Sequence, residues 1–278
     1  METIQAIKLT DLYSFPNNPF KVLDNEDLQA ITESVKAYGI ISPLVVRPRD
    51  EGGYEIIAGH RRLRACEKAG IDIIPAFVRS MDRDTAIIAL VDSNLHREHI
   101  LPSEKAFAYK MKLEAIKHQG VTCRQVVDKQ KSADILGKET DESGRQVQRY
   151  IRLTELIPSL LELVDNGQIA FSPAVELSYL AQKEQFDLLE TIESEECTPS
   201  LSQAQRMKII SQDGKLDMDT IFTIMTEEKG NQKEQIKLKK ESIKGFFPKN
   251  YSVQQMEQTI MKLLADWQRK RQQNRDSR

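Results

Sequence analysis

Gly59-His60-Arg61-Arg62-Leu63-Arg64 follows directly on the β-like run Tyr54-Glu55-Ile56-Ile57-Ala58. A strand that stops at glycine and feeds a helix leaves several backbone N–H groups unpaired at the helix start. Those donors, the helix dipole and nearby guanidinium groups favour phosphate. The chemistry on offer is therefore anion binding, to a nucleotide or to a nucleic-acid backbone. Arg61, Arg62 and Arg64 can each fork onto phosphate oxygens. Upstream, Gly39-Ile40-Ile41-Ser42-Pro43 places another glycine where backbone can approach a ligand closely. Composition alone weighs this equally against a solvated arginine helix with ordinary turn glycines. The chain has no Gly-x-x-x-x-Gly-Lys-Ser/Thr loop, which argues against a P-loop nucleotide fold.

Two further constellations have residue types suited to chemistry. Asp92-Ser93-Asn94-Leu95-His96-Arg97 can present an amide, an imidazole and a guanidinium together. His96 and His99 have the spacing of helical metal ligands, but no cysteine or third ligand lies near, which favours a solvated pair. The carboxylate here is of a type that helps hold Mg²⁺ beside a triphosphate. From Ser132 to Leu153, a short helix, a polar break and a second helix capped by Ser143 fit a helix-turn-helix. Val147, Ile151 and Tyr150 are expected to face the core. Arg145, Gln146, Gln148, Arg149 and Arg152 are expected to point outward, with types suited to base edges and phosphates. The break is longer than a tight helix-turn-helix turn, and an amphipathic helix with basic residues in water has the same pattern.

These residues need elements to hold them. Residues 1 to about 100 read as mixed α/β. Strands are expected at Ile4–Leu9, Pro43–Arg47, Tyr54–Ile57 and Ile73–Val78, with a helix from the Asn25 cap to Tyr38 and the arginine helix ending at Gly70. From Arg83 the pattern turns helical: Thr85–Leu95, Pro102 to about His118, short helices at Thr122–Val127 and Ser132–Leu136, and more to about Lys208. Residues 228–249 read as a charged linker or solvated helix. A last amphipathic helix begins at Ser252, carrying Met256, Ile260, Leu263, Leu264 and Trp267, and a frayed tail follows from Arg269. Its apolar stripe suits either dimerisation or docking on the rest of the protein. The expected fold class is α+β: a small mixed α/β domain over 1–100, an all-α helix-turn-helix domain over 101–212, and a linker and helical region over 213–278.

The 278 residues carry a formal charge of −2, so any nucleic-acid contact must be locally basic. Three scattered cysteines suggest a reducing cytoplasm and no disulfide framework. Neither a membrane span nor an export signal is expected.

Taken in order, these pieces resemble the ParB family of DNA-partition proteins. Leu28 to Gly39, Pro43-Leu44-Val45-Val46 and Tyr54 to Ala65 are similar to its N-terminal domain. Asn94-Leu95-His96-Arg97 is similar to its third motif. The helix from Ser143, with Leu160 to Ile169, is similar to its central DNA-binding domain.

The resemblance implies a CTP pocket: Gly39, Ser42 and Pro43 near the base, Gly59, His60, Arg61 and Arg62 on the phosphates, and Asn94 and Arg97 completing it, with Asn94 near Mg²⁺. It implies a CTP-dependent clamp on double-stranded DNA with a palindromic site. It further implies a homodimer, a ParA-type partition ATPase as partner, slow CTP hydrolysis, and a cytoplasmic place on nucleoid or plasmid. Three positions depart from the family pattern. His60 replaces its usual Glu, Ser42 its usual Gln, and Ser93 its usual acidic residue before the asparagine. These bear on base recognition and, more, on hydrolysis. The C-terminal part is closer to plasmid and integrative-element versions. The alternative is a helix-turn-helix transcriptional regulator that keeps the fold without a nucleotide cycle. A sulfiredoxin-like reductase would need a cysteine beside the phosphate-binding histidine, and Cys66 lies almost two turns beyond.

Overall fold

The computed structural model describes residues 3–95, 97, 99–122, 133–134, 136–137, 140, 142–227, 246–248 and 251–276. The first part is a five-stranded sheet: β1 (Thr3–Lys8), β2 (Leu12–Ser14), β3 (Leu44–Pro48), β4 (Tyr54–Ala58) and β5 (Ile73–Val78). Its order is β1-β5-β3-β4-β2. The β1/β5 and β3/β4 pairs are antiparallel, and the β5/β3 and β4/β2 pairs parallel. β2 is short and lay outside the sequence expectation. Three residues give too little alternation to register as a strand.

Strand alternation sends neighbouring side chains to opposite faces. Ile56 packs with Leu28, Val35, Leu63 and Cys66 beneath α1 (Glu26–Tyr38) and α2 (His60–Ala69). Ile57 packs with Phe15, Phe20, Leu90 and Val91 beneath α3 (Arg83–Leu95). Both are at most 1% exposed. The strand is thus buried on both sides, and its consecutive Ile56-Ile57-Ala58 follows from that, while the buried Glu55 is paired with Arg47 at 2.6 Å.

Asn25 caps α1, its Oδ1 accepting from Leu28 N at 3.1 Å. Asp82 caps α3, accepting from Thr85 N at 2.8 Å. α4 (Pro102–Thr122) is apolar on several sides. It gives Ala108 to the core beneath the sheet, Tyr109 to a cluster with Ala133, Leu136 and Val147, and Ala106 to the large helical core. The expected short helix at 122–127 lies outside the described residues. Of the one at 132–136, Ala133, Asp134 and Leu136 are described and helical.

The helical core continues through α5 (Gly144–Arg152), α6 (Pro158–Asp165), α7 (Phe171–Leu177), α8 (Gln182–Glu195), α9 (Leu201–Gln212) and α10 (Met218–Thr226). Residues 1–227 form one compact unit and 228–278 a second. In the second unit, α11 runs Val253–Asp276, so the segment expected to fray is helical to Asp276. Among the described residues, no helix is long and apolar enough to cross a membrane.

Candidate functional site

The turn from β4 into α2 needs its glycine. Gly59 has φ +107°, and a Cβ there would lie 2.9 Å from Leu44 Cγ. No side chain caps α2, so its first amides remain available to a ligand. Gly39, with φ +71°, closes α1 and turns the chain into the 40–43 loop.

Between these turns lies a cavity of about 530 Å³, within the ordinary range of ligand sites. Segments distant in sequence line it. Gly39 to Ser42 form one wall and Ala58 to Arg62 another. Ser93, Asn94 and Arg97 at the end of α3 form a third. Three guanidinium groups, from Arg61, Arg62 and Arg97, reach it, and among its described lining residues there is no carboxylate.

The side chains differ in how free they are. Arg61 is loosely held, 3.4 Å from Asn25 Oδ1 and 3.6 Å from Asp27 Oδ2. Arg62 is firmly held. Its Nη1 donates to Pro43 O at 2.7 Å, to Ser42 Oγ at 2.9 Å and to Ser42 O. Pro43 itself does not line the cavity; its carbonyl anchors Arg62. Arg97 lies over the Phe20 ring at 5.7 Å. Burial pulls its guanidinium below the usual range, with Glu104 opposing. Asn94 is buried, its Nδ2 donating to Leu90 O at 2.7 Å and to Ser93 Oγ at 3.1 Å. His96 lies outside the described residues.

His60 is the unusual member. It is 7% exposed, and its Nε2 is buried with no hydrogen-bond partner. Burial, reinforced by Arg97, pushes its pKa down to about 4, so the ring is neutral at neutral pH. His60 lines the cavity, and its orphaned Nε2, itself closed off from solvent, is a polar atom that lacks the partner a buried nitrogen normally has.

Ile31, Ser34 and Val35 of α1 also line the cavity and were missed by sequence reasoning. Their i, i+4 apolar spacing signals only a core face. The donor set fits a polyanion. It does not fit Mg²⁺. Asn94 offers one amide oxygen, and Asp92 instead accepts from Lys112 Nζ at 2.5 Å. Among the described residues no cluster of three His, Cys, Asp or Glu could hold a metal.

In the helix-turn-helix region, Ser143 caps α5, accepting from Gln146 N at 3.1 Å. Val147 is fully buried, with Tyr150 and Ile151 packed beside it. Arg145 and Gln148 are exposed and Gln146 half-buried. Two arginines expected to point outward fold back in part. Arg149 donates to Gln146 Oε1 at 3.1 Å and Ser172 Oγ at 3.0 Å, over Phe171. Arg152 donates to Ser178 O at 2.7 Å and stacks on Tyr179. Neighbouring helices supply these acceptors and rings, and no local pattern shows them.

The ParB N-terminal domain model matches residues 1–95, which contain Gly39, Ser42, Gly59 to Arg62 and Asn94. The chain belongs to the ParB family. Stage 0 sporulation protein J of Bacillus subtilis (strain 168) is 33% identical over 188 residues, 68% of this chain and 62% of that protein. The nucleoid occlusion protein of Listeria innocua serovar 6a is 32% identical over 200 residues, 70% of this chain and 66% of that protein. The chain thus spans a little under two thirds of both relatives. A solved structure of C-terminally truncated chromosome-partitioning protein ParB from Caulobacter crescentus, complexed with CTP-gamma-S, is 23% identical with a TM-score of 0.32, covering 69% of this chain and 99% of that one. The ParB domain thus holds the three walls of the cavity up to Asn94. Arg97, from the turn after α3, adds its guanidinium just past the matched span.

Proposed function

We propose that this ParB-family chain is a site-specific DNA-binding partition protein whose nucleotide, CTP, sits in the cavity at the start of α2. The observation behind this reading is the convergence of three distant segments on one cavity with three guanidiniums and no carboxylate among its described lining residues. In this reading the α2 amides, Arg61 and Arg97 hold phosphate oxygens. Arg62 sets the 40–43 loop against which the base rests. α5 reads DNA, with Arg145, Gln146 and Gln148 toward base edges and Arg149 and Arg152 toward phosphates. The division into a nucleotide region over 1–100, a DNA region over 101–212 and a dimerising helical region over 213–278 belongs to the same proposal. So do a palindromic operator, a partner ATPase, and a sliding clamp serving a plasmid, mobile element or chromosome. Leu263, Leu264 and Trp267 of α11 are exposed, which supports pairing of two chains there.

Among the described lining residues the candidate base for water is the His60 imidazole, whose pKa of about 4 makes it a weak one, so we read the nucleotide as held rather than rapidly cleaved. Calorimetric titration of CTP, with and without operator duplex, tests the proposal. CTP binding strengthened by the duplex supports it. If CTP produces no heat under either condition, the nucleotide reading fails and the helix-turn-helix regulator replaces it. Genome-wide crosslinking then separates a loading and spreading protein, with broad shoulders around a peak, from a regulator with a narrow peak.

A further inference from the structure

A bound polyphosphate must have its charge neutralised, and the cavity shows how. Mg²⁺ in nucleotide sites is usually held by one or two carboxylates together with the phosphates. The described lining residues include none. Asp92, next to Ser93 and Asn94 in sequence, is turned to α4, where Lys112 Nζ meets it at 2.5 Å. The side chain of Lys112 is 3% exposed and that of Asp92 about half exposed, so the pair reaches from the packing between the helices to the surface. Asn94 spends its Nδ2 on Leu90 O and Ser93 Oγ, leaving a single amide oxygen for any cation.

Against that stand Arg61, Arg62, Arg97 and the uncapped start of a ten-residue helix. In the same wall the imidazole of His60 is more than nine-tenths buried, and its Nε2 has no partner. Burial and Arg97 keep that ring neutral. A neutral imidazole in the tautomer that carries its proton on Nε2 donates one hydrogen bond to a phosphate oxygen without adding charge. A carboxylate at the same position would repel phosphate oxygens unless a cation bridged them.

We propose that the cavity binds its polyphosphate ligand without a divalent cation, with Arg61, Arg62, Arg97 and the α2 amides supplying the positive field and the unpartnered His60 Nε2 a neutral hydrogen bond where a metal bridge would otherwise stand. This rests on reading the cavity as a nucleotide phosphate site.

The test is calorimetric titration of the full chain with CTP and, separately, with inorganic tripolyphosphate, each in MgCl₂ and in EDTA. The dissociation constants in EDTA are expected to lie within about threefold of those in Mg²⁺, a difference well under the tenfold that 1.4 kcal/mol represents. A greater loss in EDTA overturns the inference and leaves the nucleotide reading standing. If tripolyphosphate binds in EDTA but CTP never binds, the nucleotide reading falls and the metal-free anion site remains. Silence from both ligands under both conditions removes both.

His60→Glu supplies the converse, with its melting temperature checking the fold. It is expected to lose about tenfold or more in EDTA and to recover in Mg²⁺, the scale of one charge-assisted contact turned repulsive. If His60→Glu binds tripolyphosphate equally with and without metal, His60 does not hold the place assigned to it.

Discussion

Replacing Arg62 by alanine should cost fold stability as well as ligand, whereas replacing Arg61 should cost ligand alone. The two are adjacent in sequence and both line the cavity, but their surroundings differ. Nη1 of Arg62 faces three acceptors: Pro43 O at 2.7 Å, Ser42 Oγ at 2.9 Å and Ser42 O. One nitrogen with two protons satisfies about two of them well. A hydrogen bond from a charged donor contributes about 1.5–3 kcal/mol, and the half-exposed setting puts these at the low end, so their loss costs about 3 kcal/mol. For a unit spanning residues 1–227, each kcal/mol moves the melting temperature by about 2–4 °C, so Arg62→Ala should melt about 6–12 °C lower. The contacts of Arg61 are longer and exposed, and such pairs contribute about 0–1 kcal/mol. Differential scanning calorimetry of both variants without ligand, followed by CTP titration, separates the roles. If Arg62→Ala melts with Arg61→Ala and the wild type, the loop anchor is wrong and Arg62 is a ligand contact only.

Three other outcomes are expected. His60 has a folded pKa of about 4 against an ordinary value of 6.5. Its neutral form is favoured by folding, so its contribution is complete above pH 6.5 and is lost as pH falls toward 4, by about 3 kcal/mol at most. Urea denaturation across that range should show the acid loss in the wild type and a shallower one in His60→Gln; parallel curves would mean that His60 is already solvated. In DNA binding, Arg145→Ala should weaken operator affinity by about 1–3 kcal/mol with little change in melting temperature. Arg152→Ala should lower the melting temperature as well, since it loses Ser178 O and the Tyr179 ring; operator titrations beside thermal melts would expose a reversal of that pattern. Finally, Asp92→Asn should destabilise the chain by about 1 kcal/mol, because it removes the charge from the partner of the buried Lys112 ammonium, a carboxylate that is itself half exposed. An unchanged chemical denaturation midpoint would place that ion pair outside the fold's energetics.

What the sequence discloses is what local rules decide. The Asn25 and Ser143 caps, the turns at Gly39, Gly59 and Gly70, and the β3–β4 hairpin each follow from a few adjacent residues, and each stands where it was expected. The residues of the three walls stood out locally as turn and helix-end residues of unusual type, but that they join in one site was implied only by the family resemblance. Commitments made across the fold were not legible. That Arg62 serves the loop, that Asp92 turns to α4 and that Arg152 turns to Tyr179 depend on partners 20 to 27 residues away. The neutrality of His60 is also a property of burial, which residue type does not announce.

α4 shows why these long-range commitments matter to function. Ala106, Ala108 and Tyr109 occupy neighbouring positions yet enter three different cores: that of the distal helices, that beneath the sheet, and that behind α5. Two of the three are alanine, which lets neighbouring elements approach the helix closely, and the third, Tyr109, is fully buried and fills the cluster behind α5. Glu142, just before the Ser143 cap, accepts from Lys105 Nζ at 2.5 Å and from Tyr109 OH at 3.0 Å, so the start of α5 is tied to the same helix. Lys112, further along α4, holds Asp92 two residues before Asn94. A wall of the cavity and the start of the proposed DNA-reading helix are therefore fastened to one rod by charged contacts at both places. A shift of α3 on ligand binding either carries α4 with it or breaks the Asp92–Lys112 pair, and Leu95 at the end of α3 also packs directly on the cluster that holds Val147 of α5. That makes the pair one physical point at which coupling between nucleotide and DNA is either transmitted or cut.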